Sequence, residues 1–242
     1  MLYLLAPFAY IGTIFGDNES IIKIPLLLGD LAILFFLVKI FPHKKQKLIL
    51  FYFLNPIIIY SIYIHSQLDI IPTALLFGSV YFLLLDKIKI SSIFFGLALS
   101  TKFHVIIALP LVRVYLYKKQ KSIKVVEYIA ISFFILLLLD LPFLFSEGFL
   151  NMVLLNPKQT LLFDTFYSIG TLKILLPIAA ILMVYLHFFN QNKVNQDLLF
   201  FYFGLLFTAT VFFIYPAPAW YVWMIPFLSI YFIQNQNQKK SI

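Results

Sequence analysis

The 242-residue chain has no cysteine, which excludes disulfides, thiolate metal sites and cysteine nucleophiles. Charge is scarce: Asp, Glu, Lys and Arg supply 12% of the residues against 62% hydrophobic ones, where a soluble domain averages about a quarter charged. Acid is scarcer still, with 10 Asp and Glu facing 18 Lys and Arg for a formal charge of +8. No phosphate-cradling glycine loop, zinc signature or serine-nucleophile motif occurs, which argues against a cytosolic-type nucleotide-sugar or ATP site. No convincing internal repeat is visible, and no apolar run alternates with the period of two of a membrane barrel strand. The first apolar run lacks a basic leader and a small-residue cleavage site, so it does not read as a cleavable signal peptide.

What remains is apolar sequence in long runs, at residues 2–15, 21–41, 48–65, 70–85, 91–117, 125–145, 171–189, 198–215 and 219–233, with a mean hydropathy of +0.97. Helices satisfy their own backbone groups in lipid, so the expectation is an all-α, polytopic transmembrane helix bundle. The runs consume most of the length and leave no room for a folded soluble domain. Residues 1–242 therefore read as a single membrane domain of about seven or eight spans plus short interfacial or re-entrant segments. The positive charge lies in clusters between runs: Lys44, Lys45 and Lys47; Lys87 and Lys89; Lys118, Lys119, Lys121 and Lys124; Lys193; Lys239 and Lys240. That is a topology signal rather than a nucleic-acid surface, and it places these loops and the C-terminus in the cytoplasm. The opposite side receives Gln67 and Asp69, the stretch from Ser146 to Gly170 with Glu147 and Asp164, and the turn Pro216-Ala217-Pro218.

Two segments break simple alternation. Residues 91–117 carry lysines at both ends, yet about 27 residues are too few for two full crossings of ~20 each. A broken or re-entrant helix hinged near Lys102 to His104 is expected, and such backbone is tolerated only inside protein or beside a water-filled cavity. Residues 2–15 span only ~21 Å as a helix against a ~30 Å hydrocarbon core, so they are short for a span.

Several residues stand out against the apolar background. Asn55-Pro56 reads as a proline kink with Asn55 bonding a freed carbonyl. His65, Gln67 and Asp69 bunch at the external end of the same run, ahead of Pro72. Asp69 fits the N-cap of the next helix, and the same carboxylate beside an amide suits sugar hydroxyls or a cation. Lys102 and His104 sit roughly 17 to 20 Å along their helix, where a lysine must snorkel, pair or bind an anion. Asp30, mid-run, calls for a lysine or hydroxyl partner elsewhere in the bundle. Trp220, Tyr221 and Trp223 read either as an interfacial aromatic belt or as rings that stack on a sugar face. No cofactor or metal ligand set is expected; a divalent cation is compatible with such a surface, but no motif indicates one.

Taken in order, Lys23-Ile-Pro-Leu-Leu-Leu-Gly-Asp30, Leu54-Asn55-Pro56, His65-Ser-Gln67-Leu-Asp69, Gly96 through Lys102, Leu109-Pro110 and Pro218-Ala-Trp220-Tyr221-Val-Trp223-Met-Ile-Pro226 resemble the GT-C membrane glycosyltransferases. The nearest likeness is to the GPI mannosyltransferase I catalytic subunit and its prokaryotic relatives, from about Leu2 to Leu228. The resemblance implies a hexosyltransferase, mannosyltransferase-like, in a bacterial or archaeal cell membrane. Such an enzyme moves a sugar from a polyprenyl-phosphate donor to a glycan or lipid acceptor on the non-cytoplasmic face. Its partners are then the bilayer, the lipid-linked donor and the acceptor, with no nucleic acid. In such enzymes an aspartate of the first external loop deprotonates the acceptor hydroxyl and a positive group holds the donor phosphate. Lys102 falls where the family places a lysine, and Gln67 with Asp69 where it places a polar and acidic pair; His65, His104, Trp220 and Tyr221 complete the candidate substrate-binding set.

The departure from the pattern is at the N-terminus. The family's first span and acidic loop precede the part that Leu2 to Phe15 resembles, which leaves Asp69, Asp17 and Glu19 as candidate bases and predicts that a working enzyme carries further sequence before Met1. Two other functions stay open on the residues alone: a transporter or flippase for lipid-linked saccharides, and a non-catalytic membrane fragment that keeps the fold.

Overall fold

A computed structural model describes residues 1–119, 121–214 and 216–235. Lys239 and Lys240, and with them the C-terminus, lie outside the described residues. The architecture is the expected all-α bundle. α1 (Leu2–Phe15) stops at Gly16, whose left-handed φ of 70° forms the C-cap, a conformation glycine adopts at no steric cost. α2 (Asn18–Ile22) and α3 (Ile24–Ile40) follow and together make one of two helices long and apolar enough to cross a membrane; the other is Ser122–Phe143. A third span exists if the bent pair Pro42–Phe53 and Pro56–Ile64 is taken as one, and six shorter apolar helices of 10–17 residues complete the set among the described residues.

The bend is the one anticipated at Asn55-Pro56. α4 (Lys45–Leu48) continues as a π turn over Ile49–Phe53, and α5 (Pro56–Ile59) as a second over Tyr60–Ile64, the two halves meeting at 55°. Asn55 bridges the break: its side-chain amide donates to Phe51 O at 3.2 Å and its Oδ1 accepts from Ile57 N at 2.9 Å. Asp30 of α3 also finds the predicted hydroxyl partners. The phenols of Tyr52 and Tyr63, one in each π turn, donate to its two oxygens, both at 2.7 Å.

α6 (Ile70–Leu84), α7 (Ile88–Thr101), α8 (Leu109–Lys118) and α9 (Ser122–Asp140) form the middle of the bundle. Between α7 and α8 the chain breaks at extended Lys102 and a 3₁₀ segment, Phe103–Ala108. Lys121, after α8, pairs with Asp86, before α7, so residues 88–118 leave and return to the same end of the bundle. This is the broken pair expected for residues 91–117. Small residues let α6, α7 and α9 approach closely, as membrane helices require where lipid offers no hydrophobic drive. A Cβ on Gly96 would lie 2.6 Å from the Ser132 carbonyl oxygen. Ser91 Oγ donates to Ser79 O at 2.7 Å, Ser132 Oγ to Ser92 O at 3.1 Å, and Tyr128 OH shares a 2.8 Å bond with Ser79.

Beyond α9 lie two short helices, α10 (Glu147–Phe149) and α11 (Leu161–Asp164), and an antiparallel hairpin, β1 (Phe166–Ile169) with β2 (Leu172–Leu175). The strands were not foreseen, since residues 171–189 read as one helical run. Gly170, at a φ of 59°, turns the hairpin, and α12 (Leu176–Phe189) begins only where Pro177 fits a first helical turn. α13 (Gln196–Phe212) and α14 (Ile225–Asn235) close the bundle, with Phe227 packed against Phe77, Phe203 and Phe207 at ring separations of 4.9, 5.3 and 5.8 Å. Outward faces stay apolar, as Ile123, Phe134 and Leu138 of α9 illustrate, which suits contact with acyl chains.

The helix ends sort into two poles. At one, Lys121 meets Asp86, Lys118 donates to Gln191 O, Gln234 donates to Asp197 and Phe41 packs on Phe200. The lysine clusters after α3, after α6, after α8 and after α12 thus share this basic pole. The opposite ends of α6 and α7, and the loop before α14, meet at the other.

Candidate functional site

Three irregular segments converge at the second pole. The first is the loop from His65 to Asp69, turned by Ser66 at a φ of 53°. That left-handed conformation is costly for a residue with a Cβ, and such strain clusters at functional positions. The loop places Asp69 at the N-cap position of α6. Its carboxylate does not cap the helix as expected, because both oxygens are taken from outside: Lys102 pairs with Oδ1 and the Gln67 amide donates to Oδ2. Its backbone carbonyl accepts from Thr73 Oγ at 2.7 Å.

The second is the break at Lys102. α7 ends there because its side chain is drawn to Asp69 and the extended backbone carries the chain into a 3₁₀ turn bearing His104. The third is the 3₁₀ helix Pro218–Trp223. With three residues per turn it eclipses positions i and i+3, so Trp220 and Trp223 stack at 5.4 Å and 12°. The His104 ring also stacks on Trp223, at 3.7 Å and 14°. The Lys102 ammonium lies 5.5 Å from the Trp223 ring centre and 6.0 Å from that of Trp220, within cation–π range.

The electrostatics are lopsided. Asp69 is 1% exposed while the Lys102 side chain is 37% exposed, so the carboxylate is the buried member of the pair and the lysine the more accessible one. Beside them His104 Nδ1 and Trp223 Nε1 are buried with no hydrogen-bond partner among the described residues. An ion pair beside a stacked indole pair is chemistry suited to an anionic group carrying hydroxyls.

The structure therefore brings together Gln67, Asp69, Lys102, His104 and Trp220, and leaves the other candidates apart. His65 is exposed and stacks on Tyr60 at 6.1 Å. Tyr221 is half-buried and packs on the core. Asp17 caps α2, where the Ser20 amide at 3.0 Å holds its carboxyl below the usual range, and Glu19 pairs with Lys23 at 3.1 Å. The tryptophans are not a lipid-facing belt: Trp220 is 8% and Trp223 4% exposed. Trp223 was missing from the substrate-binding set; the three-residue spacing from Trp220 after a proline was the signal for it. Among the described residues no group of three His, Asp or Glu could hold a metal ion.

The profile of the family described as ALG3 protein matches residues 24–155, more than half of the chain. The matched segment carries Asp30, Asn55-Pro56, the His65 to Asp69 loop and Lys102, and stops short of the tryptophans. No curated protein and no solved structure matches.

Proposed function

The chain belongs to the ALG3 protein family of membrane mannosyltransferase-type glycosyltransferases, and on that footing we propose that it transfers a hexose from a polyprenyl-phosphate donor to a glycan or lipid acceptor at the pole of Asp69 and Lys102. The observation that carries the reading is the part-exposed Lys102 side chain paired to a buried carboxylate beside Trp220, Trp223 and His104. In the transfer an acceptor hydroxyl oxygen bonds to the sugar C1 while the bond from C1 to the phosphate oxygen breaks. The polyprenyl phosphate leaves with the electron pair and gains a second negative charge. Lys102 turns from Asp69 to the phosphate and stabilises that charge, the largest kind of contribution a preorganised cation makes. Its departure frees Asp69 Oδ1 to take the hydroxyl proton. The Trp220 indole, 8% exposed beside the Lys102 ammonium, is the ring on which the sugar rests. By the positive-inside rule the basic pole faces the cytoplasm and this site the other side.

The test is transfer of radiolabelled mannose from polyprenyl phosphate to a saccharide-lipid acceptor supplied outside right-side-out vesicles that hold the full chain. Lys102→Met is expected to lower transfer about 100-fold or more. Transfer indifferent to that change, or movement of the saccharide-lipid across the bilayer without transfer, would overturn the reading.

A further inference from the structure

The basic pole holds a cleft of about 440 Å³ lined by Asp86, Lys87, Ile88, Lys89, Lys121 and Lys124. Four lysines face two carboxylates there: Lys121 pairs with Asp86, while Lys124, at 2.7 Å, and Lys89, at 4.0 Å, share Glu127. Lys87 has no carboxylate partner among the described residues, so the cleft carries an excess of positive charge. The first turns of α7 and α9 open into it, and neither helix has a side-chain cap on its free amides; these ends add to the attraction for an anion. The rim on both helices is apolar and outward: Ile90 and Ile93 on α7, Ile123 and Val126 on α9, the last two 84% and 69% exposed.

We propose that this cleft binds the phosphate headgroup of an anionic membrane lipid, with its acyl chains lying along Ile90, Ile93, Ile123 and Val126. The chemistry recognised is a phosphate monoanion or dianion. The membrane rather than the aqueous phase supplies it, because cations and acyl-facing side chains adjoin on the same two helices. Basic pockets between membrane helices recognise headgroups in this way, each lysine adding about a factor of five. The site is distinct from the Asp69 and Lys102 pole and does not depend on the transferase reading.

The experiment is native mass spectrometry of the full chain released from nanodiscs of phosphatidylcholine with and without phosphatidylglycerol. Wild type is expected to retain phosphatidylglycerol in preference to phosphatidylcholine. K87Q/K124Q, which leaves the Lys121 pair with Asp86 intact, is expected to lower retention about 30-fold. D86N removes a competing carboxylate and is expected to raise it, a gain that a folding defect would not produce. K44Q/K45Q removes the same charge from another loop and is expected to leave retention as in wild type. Equal retention in K87Q/K124Q, an equal loss in K44Q/K45Q, no gain in D86N, or displacement of the lipid by millimolar inorganic phosphate would each overturn the assignment.

Discussion

Replacing Lys102 by Met tests the site through stability, independently of turnover. The change strips the cation from a carboxylate that is 1% exposed, and the neutral Gln67 amide on the other oxygen cannot replace it. Removing one partner of a buried pair costs about 3–5 kcal/mol, because the other is left buried and uncompensated. Lys102 is itself 37% exposed, so screening reaches the pair and lowers the expectation to about 2–3 kcal/mol. Asp69→Asn has the reverse geometry. The carboxamide keeps the shape and the lysine it weakens its hold on is 37% exposed, so the loss is at the low end for a charge-assisted hydrogen bond, about 1.5 kcal/mol. The double variant Lys102→Met/Asp69→Asn should therefore cost less than the sum of the single changes, with a coupling of about 1 kcal/mol. Unfolding of the purified protein in mixed micelles, titrated with SDS and followed by tryptophan fluorescence, gives all three values. An Asp69→Asn cost equal to or above that of Lys102→Met would refute the assignment of buried and accessible members, and additive costs would refute the pair.

The same titration checks two further expectations. Tyr52→Phe, which removes a 2.7 Å bond to Asp30 where both residues are 0% exposed, should cost about 1.5–3 kcal/mol, and Tyr63→Phe less, since the 37% exposure of Tyr63 lets its loss be partly made good; equal costs would contradict the burial argument. Gly96→Ala places a methyl 2.6 Å from Ser132 O and should cost about 1–3 kcal/mol by spreading α7 from α9, while Gly148→Ala, with nothing within 4 Å, should stay within about 0.5 kcal/mol.

The bundle was legible because lipid leaves the chain few options. Nine apolar runs, the Asn55-Pro56 bend and the return near Lys102 all follow from backbone groups that must be satisfied in hydrocarbon. The partners of Asp30 were legible as a chemical class, hydroxyl or lysine, but not as Tyr52 and Tyr63, whose approach depends on two π turns that no periodicity announces. The hairpin at residues 166–175 was lost inside a stretch too short and too mixed to alternate. At the site, Lys102 stood out as a costly charge in an apolar run and Asp69 as an acid in a loop, so each was legible singly as a group in need of a partner. Asp69 takes the expected cap position, but its side chain leaves the helix amides bare because a full opposite charge outcompetes them for a carboxylate. The belt reading of the tryptophans failed because a 3₁₀ turn and the His104 ring gave them partners inside the protein.

The lengths of α6 and α7 bear on the proposed donor. α6 and α7 have 15 and 14 residues, roughly 21 to 23 Å of helix, against a hydrocarbon core of ~30 Å. If the basic pole lies at one edge of that core, as the proposed orientation has it, Lys102 and Asp69 stop short of the opposite edge. The two helices end where the side chains of Lys102 and Asp69 pair. Irregular backbone within hydrocarbon is stable only against protein or beside a polar recess, and the part-exposed Lys102 side chain lies at this break. A soluble sugar nucleotide would have to leave water to reach it, whereas a phosphate on a polyprenyl chain already resides near the hydrocarbon boundary. The shortness of α6 and α7 and the placement of the cation are thus one argument for a lipid-linked donor.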